Sequence, residues 1–171
     1  MEQHVDQVRR VFKKSGFNDK DIYRLASVLS RLEAEVGSSK CWNVGDVQVL
    51  DKAFTTSHAY HPCYKGKNVN PLVLAIYNIF PDEENGEVML IRKSICKNYH
   101  CMNPRHLFYG DHIDLKIEKW KRKGVNIDKN KYTKVLWMYK NNSKSMSYRK
   151  IANEFDLNYN VVRSICNYER N

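Results

Sequence analysis

Three residues able to hold a metal ion fall within one eleven-residue stretch, CKNYHCMNPRH. Cys96, Cys101 and His106 are each separated by four residues. That is close enough for all three to point inward from a single loop onto one ion, and a fourth cysteine, Cys41, stands far upstream. Zinc in a structural site takes four N or S ligands in a closed tetrahedron, and such a site can supply much of a small domain's folding free energy. The spacing differs from the familiar CxxC pair, His100 competes with His106 for the same role, and two buried cysteines beside an unrelated histidine are the bland alternative.

The chain has five cysteines, at 41, 63, 96, 101 and 166. An odd count with no export signal argues against a disulfide framework and makes metal ligation the reading to test. A length of 171 residues allows one modest core or two small ones. No apolar run approaches the roughly 20 residues that span a bilayer, and the opening MEQHVDQVRRVFKK is charged and amphipathic, so the expectation is an intracellular, cytoplasmic protein with no membrane partner. The formal charge of +10 favours a polyanionic partner. Residues 1–85 balance 11 Lys+Arg against 11 Asp+Glu, while residues 86–171 hold 18 against 8. Phosphates are therefore expected on the second half.

Hydrophobic periodicity predicts two amphipathic helices in residues 1–36. One carries Val5, Val8, Val11 and Phe12 up to Gly16; the other is capped by Asn18 with Asp21 and striped by Ile22, Leu25, Leu29 and Leu32. This hairpin either covers the core behind it or binds a protein partner. Residues 47–50 and 67–69 read as extended, and Pro71 opens a helix with Leu72, Ala75, Ile76 and Ile79 on its apolar face. PDEENGE is an exposed turn, and VMLIRKSI is a buried strand leading into the cysteine loop. LFYG and a helix over about 111–123 follow. After the linker VNIDKN, three helices are predicted, over 131–139, 146–155 and 159–168, with a tight turn at Asp156-Leu157-Asn158.

The stretch CKNYHCMNPRHLFYGDHIDLKIEKWKRKG resembles the zinc-bearing HNH, or His-Me finger, homing endonucleases of phages and introns. Their motif runs C-x-N-x-x-C-x-N-P-x-H-L, then Gly, then a helix ending in a basic Lys-Gly. Cys96, Asn98, Cys101, Asn103, Pro104, His106, Leu107 and Gly110 occupy matching positions, and Cys41-Trp42 resembles the Cys-Trp that opens that domain. Over residues 41–124 the resemblance implies Cys41, Cys96, Cys101 and His106 as ligands of a structural Zn²⁺, with His100 an exposed bystander. Joined to the helices read from periodicity over 1–37, it implies an α+β fold with a zinc-bound ββα-metal domain over 38–125 and a C-terminal helix-turn-helix over 126–171.

The resemblance also shows what is missing. The family's general-base histidine, two residues before the first loop cysteine, is Ser94 here, and the metal-holding asparagine, nine residues after His106, is Leu115. A serine hydroxyl without a helper accepts no proton near neutral pH, and Leu115 has no lone pair for Mg²⁺. The expected function is a non-cleaving, sequence-specific double-stranded DNA-binding protein of mobile-element origin, acting as a transcriptional repressor or regulator. The alternative is an active homing or nicking endonuclease with an altered site, for which Mg²⁺ would be needed and Asp111, His112 and Asp114 are the nearest substitutes.

The C-terminal segment RKIANEFDLNYNVVRSICNYERN resembles the helix-turn-helix tail of these nucleases. Ile151, Phe155, Leu157, Val161 or Val162, and Ile165 form its expected core around Ala152. Asn158, Tyr159, Asn160, Arg163, Ser164 and Asn167 suit base reading, because Asn pairs with adenine and Arg with guanine. Lys144, Arg149 and Lys150 suit phosphates. A second cationic surface is expected from Lys116, Lys119, Arg122 and Lys123, extended by Arg92, Lys93, Lys97 and Arg105. Family members often dimerise, which leaves a homodimer open.

Overall fold

The computed structural model describes residues 2–48, 50–57, 62–82, 87–142 and 146–168. Residues 83–86 of the expected turn PDEENGE (81–87) and the phosphate contact Lys144 lie outside the described residues. The chain is α+β and divides into two compact units, residues 1–111 and 112–171. Among the described residues no helix is long and apolar enough to cross a membrane.

The first unit opens with α1 (Glu2–Lys14) and α2 (Asp19–Val36). Their junction follows from local chemistry: the Asn18 side chain accepts from the Asp21 N–H, and the Asp21 carboxylate accepts from the Asn18 N–H. This reciprocal pair satisfies two of the orphan donors at a helix start. Val8 and Phe12 of α1 and Leu25, Val28, Leu29 and Leu32 of α2 are buried in one cluster with Trp42, Phe54, Tyr64, Leu72 and Met102. The helical hairpin therefore covers the core of the segment that follows it.

Of residues 47–50, expected to be extended, Val47 and Gln48 belong instead to a short helix, α3 (Val44–Gln48). The Asp46 carboxylate accepts from the Asn43 N–H at 3.2 Å, and Val44 and Val47, one helical turn apart, are both buried. A three-stranded antiparallel sheet follows: β1 (Phe54–Thr56), β2 (Pro62–Tyr64) and β3 (Lys67–Asn68). Phe54 pairs with Tyr64, and Tyr64 with Lys67. Helix α4 (Asn70–Ile76) ends before Ile79, which was expected on its face. Asn78 takes a left-handed φ of 60°, and the Ile79 N–H reaches back to the Leu74 carbonyl at 2.8 Å, which stops the helix.

A two-stranded hairpin, β4 (Met89–Arg92) with β5 (Leu107–Gly110), ends this unit. Arg92 pairs with Leu107 and Met89 with Gly110, so the cysteine loop is the connection between the strands. Only Ile91 of β4 is buried, against the expectation of a buried strand.

Among the described residues the second unit holds four helices: α5 (His112–Lys121), α6 (Lys129–Asn142), α7 (Tyr148–Glu154) and α8 (Tyr159–Tyr168). Ile117, Ile127, Tyr132, Val135, Ile151, Ala152, Val161, Val162, Ile165 and Cys166 form its core, with Trp120, Phe155 and Leu157 packed against it. The helix over 112–121 thus belongs to the same core as the three after it, since Ile127 and Trp120 tie the polar linker down on both sides.

Candidate metal centre

Cys41 Sγ lies 3.7 Å from Cys96 Sγ and 3.8 Å from His106 Nδ1, and Cys101 Sγ is 3.4 Å from the same nitrogen. All four ligand atoms lie within 4.8 Å of one another. A tetrahedral zinc with bonds of about 2.3 Å to sulfur and about 2.0–2.1 Å to nitrogen would separate its ligands by about 3.8 Å (S to S) and about 3.6 Å (S to N). Three of the separations match a tetrahedron of that size and the others stay within 4.8 Å, so the four donors could hold a metal ion such as zinc. No disulfide competes, as all five cysteines are free.

The local fold explains how residues 55 positions apart converge. Asn43 bridges Cys101 in antiparallel fashion, and the Met102 N–H donates to the Trp42 carbonyl at 2.9 Å. Trp42, 1% exposed, anchors this short strand in the core, its indole N–H donating to the Gly37 carbonyl at 3.0 Å. The asparagines of the loop are structural. Asn103, fully buried, donates to the carbonyls of Ser38 and Lys40 and accepts from the Arg105 N–H, which caps the 3-10 turn Pro104–His106. Asn98 accepts from the His100 N–H and donates to Asn43. His100, expected to be exposed, is half-buried and outside the ligand group.

The four donors differ in how readily they give up a proton. Burial pushes the Cys101 thiol up to about 12, with the neighbouring thiols of Cys96 and Cys41 adding to the effect. Burial and the bond to Cys96 raise Cys41. Burial opposes ionisation of Cys96 too, but the Asn98 backbone, Arg92 and the other thiols outweigh it and lower its pKa. His106 is held below the usual imidazole value by burial, then by Lys93 and Arg92, which keeps a lone pair available. Its ring also bonds the Ser39 backbone, the kind of outer partner that orients a ligating imidazole.

Arg92, expected to face phosphates, is turned inward. Its guanidinium donates to the carbonyls of Cys101 at 2.8 Å and Tyr99 at 2.9 Å. A basic residue directly before a ligand loop reads from sequence as surface charge, and only the hairpin geometry reveals the clamp.

The other predicted site residues fall in both units. Lys93 is half-buried and Lys97 exposed on the loop, and Arg105 is exposed, 3.8 Å from Glu33. Ser94 is half-buried in the turn closed by the Cys96 N–H on the Lys93 carbonyl. In the second unit Leu115 is half-buried on α5. Lys116 is half-buried there too, its ammonium pKa lowered by burial and then by Lys119, while Lys119, Arg122 and Lys123 are exposed. The Asp114 carboxylate accepts from Lys129 Nζ at 3.1 Å.

Arg149 and Lys150 are exposed on α7, and Asn158, Tyr159, Asn160, Arg163 and Ser164 are exposed at and along α8. Asn158 spends its side-chain oxygen on the Asn160 N–H, at 2.8 Å. Asn167 is half-buried and accepts from the Tyr148 hydroxyl at 3.2 Å. Between α7 and α8, Asp156 takes a φ of 48° and the Leu157 N–H returns to the Ala152 carbonyl at 2.9 Å. Both Val161 and Val162 are buried, as is Cys166.

No family model, curated protein or solved structure matches the chain.

Proposed function

We propose that this protein is a zinc-stapled, sequence-specific binder of double-stranded DNA, built on an HNH-type scaffold that no longer cuts. The observation that carries the reading is the pairing of α7 and α8 across a tight turn, with a buried face on α8 and Asn160, Arg163 and Ser164 exposed on the opposite side. A helix-turn-helix presents its second helix to the major groove in this way, and those side-chain types match the donor and acceptor code of base edges. Residues 112–171 hold 14 Lys+Arg against 6 Asp+Glu, which supplies the sequence-independent attraction to phosphate.

In the first unit, Cys41, Cys96, Cys101 and His106 would hold the zinc, and the ion would supply structural closure. Their donor set is of the soft, closed type that leaves no open position for a reacting group. The chain order strand, metal loop, strand over β4 and β5 supports an HNH-type scaffold in this unit, with Ser94 at the position of the family's general base; Leu115, at the position of its metal ligand, lies on α5 in the second unit. A protein that occupies a site without cutting it acts as a transcriptional repressor or regulator when that site is a promoter.

The test is an electrophoretic shift and a cleavage assay in parallel, on DNA from the chain's own genomic neighbourhood, with Mg²⁺ and Mn²⁺. Discrete shifted bands without strand breaks support the reading. Defined breaks replace it with an endonuclease of altered chemistry, and the absence of any shift removes DNA binding altogether.

A further inference from the structure

Ile95 is the most exposed large hydrophobic side chain among the described residues, at 76%, and Tyr99 on the same loop is exposed by 64%. Neither is loosely hung. The turn that carries Ile95 is closed by the Cys96 N–H on the Lys93 carbonyl at 3.0 Å, and the Lys93 N–H is bonded to the His106 carbonyl at 2.9 Å. Behind it Arg92 clamps the carbonyls of Tyr99 and Cys101, and Asn98 ties the loop to Asn43. The loop cannot fold over to cover the isoleucine without breaking these bonds. Turns favour Gly, Pro, Asn, Asp and Ser, each for a conformational reason that a β-branched residue does not share. Ile95 therefore adds nothing to the core and little to the turn.

The loop's own charges are of one sign, with Glu33 of α2 3.8 Å from Arg105 at its far end. Residues 88–110 contain no Asp or Glu and hold Arg92, Lys93, Lys97 and Arg105. Lys97 is exposed two positions beyond Ile95. A rigid apolar tip within a cationic border is the arrangement by which proteins push a side chain between base steps, partly unstacking them and kinking the duplex. We propose that Ile95 is such a wedge, entering duplex DNA between adjacent base pairs while Lys93 and Lys97 hold the flanking phosphates. The proposal rests on the DNA-binding reading above. An anionic lipid surface shares the charge requirement, but a membrane-binding face needs a broad apolar area and the loop offers a single aliphatic tip.

Ring closure of a short duplex by ligase tests this on the full, zinc-loaded chain. A fragment of about 120 base pairs is shorter than the persistence length and closes poorly unless it is kinked. Band shifts on the same fragment report binding separately. The wild-type chain is expected to raise the yield of circles by about fivefold or more, and I95A to remove most of that gain while weakening the band shift by less than about threefold. I95M, which keeps an apolar tip, should retain it. Unchanged metal content and melting of I95A establish that the loop is intact.

Equal circle yields from wild type and I95A overturn the wedge, as do band shifts without enhanced closure. Binding to phosphatidylserine vesicles that depends on Ile95, with closure independent of it, overturns the wedge in favour of a membrane. No band shift at any protein concentration defeats the DNA reading and the wedge together.

Discussion

The Arg92 guanidinium donates to the Cys101 carbonyl at 2.8 Å, so the residue that ends β4 grips the far side of the metal loop from behind. A second branch of the same group reaches the Tyr99 carbonyl at 2.9 Å. A planar fork with two directed donors does this, and a lysine ammonium does not. Arg92→Lys is expected to cost about 1–3 kcal/mol of stability, since hydrogen bonds from charged donors are lost while the charge stays. Thermal melting and the rate of metal loss to a chelator measure it. Wild-type values for both in Arg92→Lys would show that the clamp is incidental.

Removing the metal should act on the first unit alone. Cys41, Cys96, Cys101 and His106 all belong to residues 1–111, whereas the core around Tyr132, Val135, Ile151 and Val162 contains none of them. Zinc-binding free energy is folding free energy where a site closes a small core. Chelation, or Cys96→Ser, is therefore expected to raise hydrogen exchange at Trp42, Met102 and the β4–β5 pairing, with α6 and α8 keeping their protection. Uniform loss of protection would mean that the two units do not fold separately.

Asp21 gives a pH signature independent of the metal. Burial works to raise its carboxyl pKa, but the bond from Lys65, the Asn18 N–H, the Tyr64 hydroxyl and the Lys65 charge outweigh it, and the net shift is downward. The carboxylate is 7% exposed and accepts from Lys65 Nζ at 2.5 Å. A folded pKa below the unfolded value of about 3.9 means that the stabilisation is complete above that value and is lost as the pH falls through the lowered one. Lys65 is 45% exposed, so its share is screened. Asp21→Asn is expected to lower stability at pH 6 on the order of 1–2 kcal/mol. The gap between the urea midpoints of wild type and Asp21→Asn should shrink toward pH 3; a constant gap would remove the linkage.

The long periodic segments were legible because one apolar face dominated each: Val8 and Phe12, Leu25 and Leu29, and Val162 and Ile165 are all buried. The capping box at Asn18 and Asp21 was legible because it is local. The convergence of Cys41, Cys96, Cys101 and His106 was legible only through the resemblance. Spacing alone could not choose between His100 and His106, nor reach back to Cys41. The β1–β2 hairpin was not anticipated, because three-residue strands carry too little alternation to register. Val47 and Gln48 misled because the local carboxylate at Asp46 organised a helical turn where the apolar pattern suggested a strand. Arg92 shows the same limit, since nothing in its neighbours tells which way a basic side chain points.

Ala152 is 4% exposed, and its carbonyl receives the Leu157 N–H at the turn between α7 and α8. Its methyl group lets the two helices approach. Ala152→Leu adds volume at a closed crossing and is expected to cost about 1–3 kcal/mol by overpacking. Sequence preference in band shifts should fall with it, while the first unit's metal content stays unchanged. Unaltered sequence preference in a destabilised variant would place base reading outside this helix pair.

Absence of cleavage is the last expectation, and it follows from the chemistry of two positions. On the HNH-type reading proposed above, Ser94 offers a hydroxyl where the family has a proton acceptor, and Leu115 offers a hydrocarbon where the family has a metal ligand. General-base catalysis alone contributes about 10²–10⁴-fold, and the metal stabilises the leaving oxygen separately, so the two losses compound. Asp114 is a poor replacement, since its carboxylate is engaged by Lys129 at 3.1 Å. Supercoiled plasmid incubated with Mg²⁺ or Mn²⁺ is expected to remain supercoiled at protein concentrations that shift it fully on a gel. Nicking that disappears in His112→Ala or Asp114→Asn would locate an active site on α5 and make the protein a nuclease.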